Sequence, residues 1–206
     1  MKLYTTKTPI IIQKVFTKYR WRFTSDFKEI YLTFDDGPTP EITSFILKQL
    51  KIFNAKATFF CIGKNVKKHQ NIYHKIIEDE HSVGNHTFNH FNSFITKKST
   101  YLENVHQAST LIESKLFRPP YGKLKSSHRE ILQKEGFEII MWDVLSGDFD
   151  TSISCEKCLR NVLKNTRNGS IIVMHDSEKA KSKLIYTLPK VLDYFSKKGY
   201  LFKAIT

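Results

Sequence analysis

Cysteine is scarce in this chain, with three residues, Cys61, Cys155 and Cys158, among 206. A small odd count in a chain this long excludes a disulfide framework and predicts free thiols. Cys155 and Cys158 have the spacing of a redox pair, but no strand-to-helix context surrounds them and no second pair completes a zinc site. They read as two thiols one helical turn apart. Long apolar runs are also missing. No stretch approaches the roughly 20 residues that span a bilayer. The run from Pro9 to Ile12 is shorter than the roughly 7–15 residues of a signal-peptide core. The expectation is a cytoplasmic protein, with export by a route the sequence does not advertise left open. Acid is under-represented: 33 Lys and Arg against 20 Asp and Glu give a formal charge of +13. That balance suits nucleic acid, an anionic envelope polymer or a solvated Lys-rich surface. The lysines are spread in pairs such as Lys67-Lys68 and Lys97-Lys98, outside any nucleic-acid motif, so a solvated surface is the plainest reading and no nucleic-acid partner is expected.

What is abundant is aromatic: 16 Phe and 9 Tyr point to one globular domain with an aromatic core. A chain of this length buries roughly 70% of its unfolded surface. Residues 1–24 read as a basic, aromatic extension and 25–206 as the domain.

The chain is organised around Ile30 to Pro38. Ile30-Tyr31-Leu32-Thr33-Phe34 reads as a buried strand, and Gly37-Pro38 ends it as a turn. Asp35 and Asp36 sit where strand meets loop. Adjacent strand residues face opposite sides, so the two carboxylates cannot share one task unless a turn re-aims one of them. Apolar spacing then predicts helices over 41–53, 69–80, 98–116, 127–135, 154–166 and 188–198, with strands at 57–62, 81–84, 137–145, 170–174 and around 200–202. Arg118-Pro119-Pro120-Tyr121-Gly122 interrupts any helix. The alternation predicts parallel strands with outer helices; the length favours a shortened, distorted (β/α) barrel over a full eight-fold one.

Polar groups recur just after the strands: Asp35-Asp36, His86 with His90, Arg118 to Tyr121, Asp148, and His175-Asp176. In parallel α/β folds these ends open on one side, where distant residues converge. His86 and His90 would share a face if their loop took one helical turn, and with an aspartate would make a two-His, one-carboxylate set open to a metal. His69, His74, His81, His106 and His128 read as surface or capping residues. Asp143 and Asp176 read as flanking the site and hydrogen-bonding locally.

Thr33-Phe34-Asp35-Asp36-Gly37-Pro38, His86-Thr87-Phe88-Asn89-His90, Arg118-Pro119-Pro120-Tyr121 and Met174-His175 resemble, in order, the motifs of the polysaccharide deacetylase family, the NodB-homology domain of carbohydrate esterase family four. The resemblance covers about 30–202. It implies a distorted (β/α) barrel and metal-dependent removal of N-acetyl or O-acetyl groups from an oligo- or polysaccharide. Asp36, His86 and His90 would hold a divalent metal, usually zinc, with Asp35 as general base and His175 as general acid. Arg118 would orient Asp35, Asp148 would pair with His175, and the Tyr121 backbone N–H would stabilise the oxyanion. Thr87 would set the loop carrying the His ligands. Pro120, Tyr121, Phe149 and Val173 would contact substrate. Two positions depart from the pattern. Leu145-Ser146-Gly147-Asp148-Phe149 stands for Asp-Ser-x-Asp-Trp, and Val173-Met174-His175 for Leu-x-His, which bears on the acetyl pocket's shape. A non-catalytic basic protein binding a glycan or nucleic acid on this scaffold, and an amidohydrolase for a non-sugar amide, are the alternatives. Neither the particular glycan nor the oligomeric state is written in the sequence.

Overall fold

The computed structural model describes residues 4–206. In chain order the elements are α1 (Ile10–Val15), β1 (Glu29–Asp35), α2 (Ile42–Ile52), β2 (Ala57–Cys61), α3 (Gly63–Lys68), α4 (Gln70–Glu78), β3 (Ser82–Asn85), α5 (Lys98–Ser109) and β4 (Leu116–Phe117). A 3-10 turn (Pro120–Gly122), α6 (Ser126–Lys134), β5 (Glu138–Ile139), β6 (Val144–Leu145), α7 (Cys155–Asn165), β7 (Ser170–His175), α8 (Lys181–Lys197) and β8 (Leu201–Phe202) follow. These strands pair with one another in parallel throughout, in the order β5-β4-β3-β2-β1-β7-β6, with β8 beside the start of β1. The curled sheet with helices outside it is a distorted (β/α) barrel.

Period-two alternation on β1 sorts its residues. Ile30, Leu32 and Phe34 join Phe59, Ile172 and Met174 in the layer under α2, α7 and α8. Thr33 and Asp35 face inward and are in register with Val173 and His175 of β7. Because β1 pairs with β2 on one side and with β7 on the other, it is an interior strand and both its faces are buried, which is why its sequence is nearly continuously apolar.

The sheet leaves a seam between β5 and β6, and the amino-terminal segment fills it. Lys7 bridges antiparallel to Val144, Arg20 parallel to Ile140, and Arg22 antiparallel to Ser170. The Tyr4 ring packs tilted against Phe149, 5.2 Å away, at one end of this run, and Thr8 N–H donates to the Asp143 carbonyl at the other (2.9 Å).

Several boundaries differ from the sequence expectation. The helix expected over 98–116 stops at Ser109, because Leu116-Phe117 is needed as a strand to pair with β3 and β5. Ile112 stays buried without being helical. The single strand expected over 137–145 is two short pieces separated at 140–143: the Ile140 and Met141 carbonyls accept from the Arg118 side chain and Met141 N–H donates to the Arg20 carbonyl, leaving only Ile140 N–H and Asp143 N–H bonded to β4 and β7. The last helix begins at Lys181, not Leu188, and carries Pro189 inside it. Burial of Leu184, Leu188, Val191 and Leu192 outweighs the one lost backbone bond. Helix α3 was not anticipated. His81 and His128 are buried, contrary to the surface reading: His128 stacks on Tyr101 (4.9 Å) and bonds Ser93 (2.7 Å). The three cysteines are free.

Candidate functional site

The carboxyl ends of β1, β3, β4, β6 and β7 bring the expected polar groups together. Asp35 ends β1 facing inward, and Asp36 leaves the strand with φ of 86°. That left-handed backbone turns the second carboxylate back toward the barrel mouth, which an extended chain would have sent to the opposite face. The turn is held from three sides. Asn65 Nδ2 donates to the Asp36 carbonyl (2.7 Å), Ile62 N–H donates to the Gly37 carbonyl (2.9 Å), and Asp176 N–H donates to the Asp35 carbonyl (3.0 Å). Gly37 is required by packing, since a Cβ there would lie 1.8 Å from Asp176 Oδ2.

His86 and His90 sit on a loop of bends, not on a helical turn. Thr87 and His90 both have positive φ, and the two rings are 5.1 Å apart. The fully buried Thr87 organises this loop: its carbonyl accepts from Gly63 N–H (3.0 Å), its N–H donates to Asn85 Oδ1 (2.8 Å), and its hydroxyl accepts from Phe91 N–H (3.2 Å). Asn104 Oδ1 accepts from the next two backbone N–H groups.

Asp36 Oδ1 faces His90 Nε2 at 3.2 Å and His86 Nε2 at 3.7 Å. Ligand atoms of the three residues all lie within 4.8 Å of one another. Three features fit a divalent metal. Asp36 Oδ1 is buried with no hydrogen bond of good geometry. His86 Nδ1 is 2.6 Å from the Arg118 carbonyl, which makes it the protonated nitrogen and leaves Nε2 free to ligate. The ionisation states agree. Burial pushes the His86 imidazolium down to about 4, outweighing nearby Asp35 and Asp36, so the ring is neutral. Burial works against the Asp36 carboxylate too, but the His90 contact and the charge of His175 hold its carboxyl well below the usual range.

Arg118 is fully buried at the end of β4. Its Nη1 donates to Asp35 Oδ1 (2.7 Å) and Thr33 Oγ1 (2.6 Å), while Nε and Nη2 donate to the carbonyls of Ile140 (3.1 Å) and Met141 (3.0 Å). On the facing side His175 Nδ1 meets Asp148 Oδ1 at 2.8 Å, and Asp148 Oδ2 accepts from His175 N–H at 2.7 Å. Burial disfavours the imidazolium, but Asp148, with Asp36 and Asp35 beyond it, pushes His175 up to about 10.

Of the expected substrate contacts, Phe149 lies edge-on to His175 (5.1 Å), Val173 is buried on the inward register, and Pro120 is buried. Tyr121 adopts φ of 60° with its side chain exposed and its hydroxyl 3.2 Å from His90 Nδ1. Asp143 does not flank this site. It bonds Ser170, the first residue of β7, and Lys7, at the opposite end of the barrel. Asp176 does adjoin it, with Oδ2 accepting from Thr43 (2.6 Å) and Oδ1 buried without a protein partner. Burial pushes its carboxyl up to about 8 against that hydrogen bond, and the Asp36 charge adds to the rise. Asn65 and Thr33 were missed. Thr33 could have been found by counting two back from Asp35 on the inward face; Asn65, on the unanticipated α3, carried no signal.

The profile of the polysaccharide deacetylase family matches residues 23–140, more than half the chain. A peptidoglycan-N-acetylglucosamine deacetylase of Bacillus cereus is 34% identical over 78% of this chain and 61% of its own length, so the chain spans less than two thirds of that relative. The solved structure of the Bc1960 peptidoglycan N-acetylglucosamine deacetylase superposes with a TM-score of 0.87 at 30% identity, covering 96% of this chain and 95% of that one. Wild-type BA3943, a CE4 family pseudoenzyme from Bacillus anthracis, superposes with a TM-score of 0.78 at 24% identity over 90% of this chain and 66% of its own, a likeness of fold alone.

Proposed function

Because the chain belongs to the polysaccharide deacetylase family, the NodB-homology hydrolases that remove acetyl groups from carbohydrates, we propose that its site hydrolyses the N-acetyl group of an acetylated glycan with the help of zinc. A pseudoenzyme shares the fold, so the fold does not carry this reading. The carrying observation is that Asp36, His86 and His90 lie close enough to share one ion while Asp35, paired with Arg118, and His175, paired with Asp148, stand at the ends of the two adjacent, in-register strands β1 and β7.

Asp36, His86 and His90 would hold the metal, which would acidify a water and polarise the acetyl carbonyl when bound. Asp35, fixed by Arg118, takes the proton that the attacking water gives up as the new C–O bond forms. His175, held protonated by Asp148, passes a proton to the nitrogen as the C–N bond breaks, so acetate and a free amine leave. The Tyr121 N–H assists the carbonyl oxygen as charge collects there. Pro120, Tyr121, Phe149 and Val173 shape the pocket for the acetyl methyl and its sugar. Phe149, where the family often carries Trp, presents the smaller ring edge-on to His175.

Acetate release from an N-acetylated chito-oligomer and from peptidoglycan tests this. Turnover should stop on chelation and return with zinc, and Asp35→Asn should abolish it while retaining zinc affinity. Acetate release that survives Asp35→Asn would remove Asp35 as the base; glycan binding without turnover by the zinc-loaded protein would make this a binding protein instead.

A further inference from the structure

The end of the barrel opposite the site carries an apolar face that the catalytic reading does not use. Residues 4–8 run down the edge of β6, from Phe149 at the site end to Asp143 at the other. Helix α1 follows directly, so it lies beyond the amino ends of the strands. The chain returns there as well, because the Lys18 carbonyl accepts from Gln133 at the last turn of α6, which leads into β5.

Helix α1 buries none of its residues. Ile11 is 69% exposed, Val15, one turn on, 66%, and Ile10 53%; Phe16 is exposed after them. Phe27 and Leu201, at the same end beside the start of β1, are exposed too. Single exposed apolar residues are ordinary, but a run of them on one short helix marks a contact surface.

Charge decides which contact. The first acidic residue of the chain is Asp26, and before it stand Lys2, Lys7, Lys14, Lys18, Arg20 and Arg22. Lys7 is tied to Asp143 and Arg20 to Glu138. Among the described residues Lys14, Lys18 and Arg22 have no carboxylate partner. A second copy would bring the same cations against these, in a protein already at +13, so self-association is disfavoured. Isoleucine, valine and phenylalanine beside exposed Lys14 and Lys18, neither of which has a carboxylate partner, instead match an interface with acyl chains below and anionic headgroups above.

We propose that α1 and the basic residues flanking it dock the protein on the surface of a bilayer containing anionic lipid, with the catalytic mouth facing away from the membrane. The contact is peripheral: no helix among the described residues is long and apolar enough to cross a bilayer. It does not depend on the metal or on turnover.

Sedimentation of the full chain with vesicles tests it. The protein should pellet with phosphatidylcholine vesicles containing phosphatidylglycerol, remain in the supernatant with phosphatidylcholine alone, and be released by salt. Ile11→Asp with Val15→Asp should cut the bound fraction about ten-fold, the size expected when buried apolar contact is replaced by charge repelled by the headgroups. The melting temperature should be unchanged, since neither side chain is buried. Lys14→Glu with Lys18→Glu should weaken binding without touching the apolar face. Equal binding to both vesicle types, no pelleting with either, or an aspartate variant that binds like wild type would each overturn the proposal. So would a concentration-dependent dimer that the aspartate variant abolishes, which would assign the face to a second copy.

Discussion

Arg118 Nη1 lies 2.7 Å from Asp35 Oδ1, and the guanidinium making that bond is wholly shut off from solvent. Phe60 covers it at 4.0 Å, and four protein oxygens take its hydrogen bonds. Arg118→Ala leaves the Asp35 carboxylate buried without its counter-charge, and breaking a buried pair from one side costs about 3–5 kcal/mol. Urea denaturation should show that loss. Arg118→Lys restores charge but not the planar fork, so it should recover only part of it. An alanine variant as stable as wild type would mean that water replaces the guanidinium.

On the proposed mechanism Asp148 should set the alkaline limit of activity through His175. The imidazole titrates near 6.5 when free and is pushed up to about 10 in the fold. The pair's contribution to stability is therefore complete below about 6.5 and is lost as pH rises through about 10. Asp148→Asn removes the largest influence raising that value. The proton then leaves at lower pH, and the alkaline limb of the kcat/KM profile should shift to lower pH with it. A limb that stays in place would exclude His175 as the acid.

Metal should stabilise the fold through Asp36. A ligand at 100 times its Kd adds about 2.7 kcal/mol, so zinc should raise the melting temperature and a chelator should reverse the gain. Asp36→Ala removes the buried Oδ1 that both imidazoles face, and its melting temperature should no longer respond to zinc. A zinc response equal to that of wild type would place the metal elsewhere.

Tyr121 keeps a left-handed backbone at φ of 60° although its side chain is exposed. That conformation costs an ordinary residue roughly 1–2 kcal/mol and glycine almost nothing. Tyr121→Gly should melt no lower than wild type and, because the backbone N–H remains, should keep turnover within a few-fold. Tyr121→Val, branched at Cβ, should melt lower. If the glycine variant loses turnover as completely as Asp35→Asn, the phenol and not the N–H is the acting group.

Much of the site was legible because strand periodicity is local. An inward Asp35 follows from counting along β1, and each polar group after a strand could be assigned to the same end of a parallel sheet. The His86 and His90 pair was found by spacing, but its geometry was not: the expected helical turn is a loop held by the adjacent Asn85 and by Asn104, which is 16 positions along the chain from the Phe88 N–H it accepts from. His128 looked like a surface residue for the same reason, since Ser93 and Tyr101, which bury it, are 35 and 27 positions away.

Alternating apolar patterns, a cluster of turn residues after Asp36 and the absence of cross-links were enough to specify a parallel barrel with a polar mouth. They act within a few residues of each other, and their preferences exist before the chain folds. The backbone turn that re-aims Asp36, the closing of the seam by residues 4–22 and the four bonds around Arg118 were decided only when distant segments met. Each requires a partner supplied by a distant segment, and an isolated segment has no free energy with which to choose it.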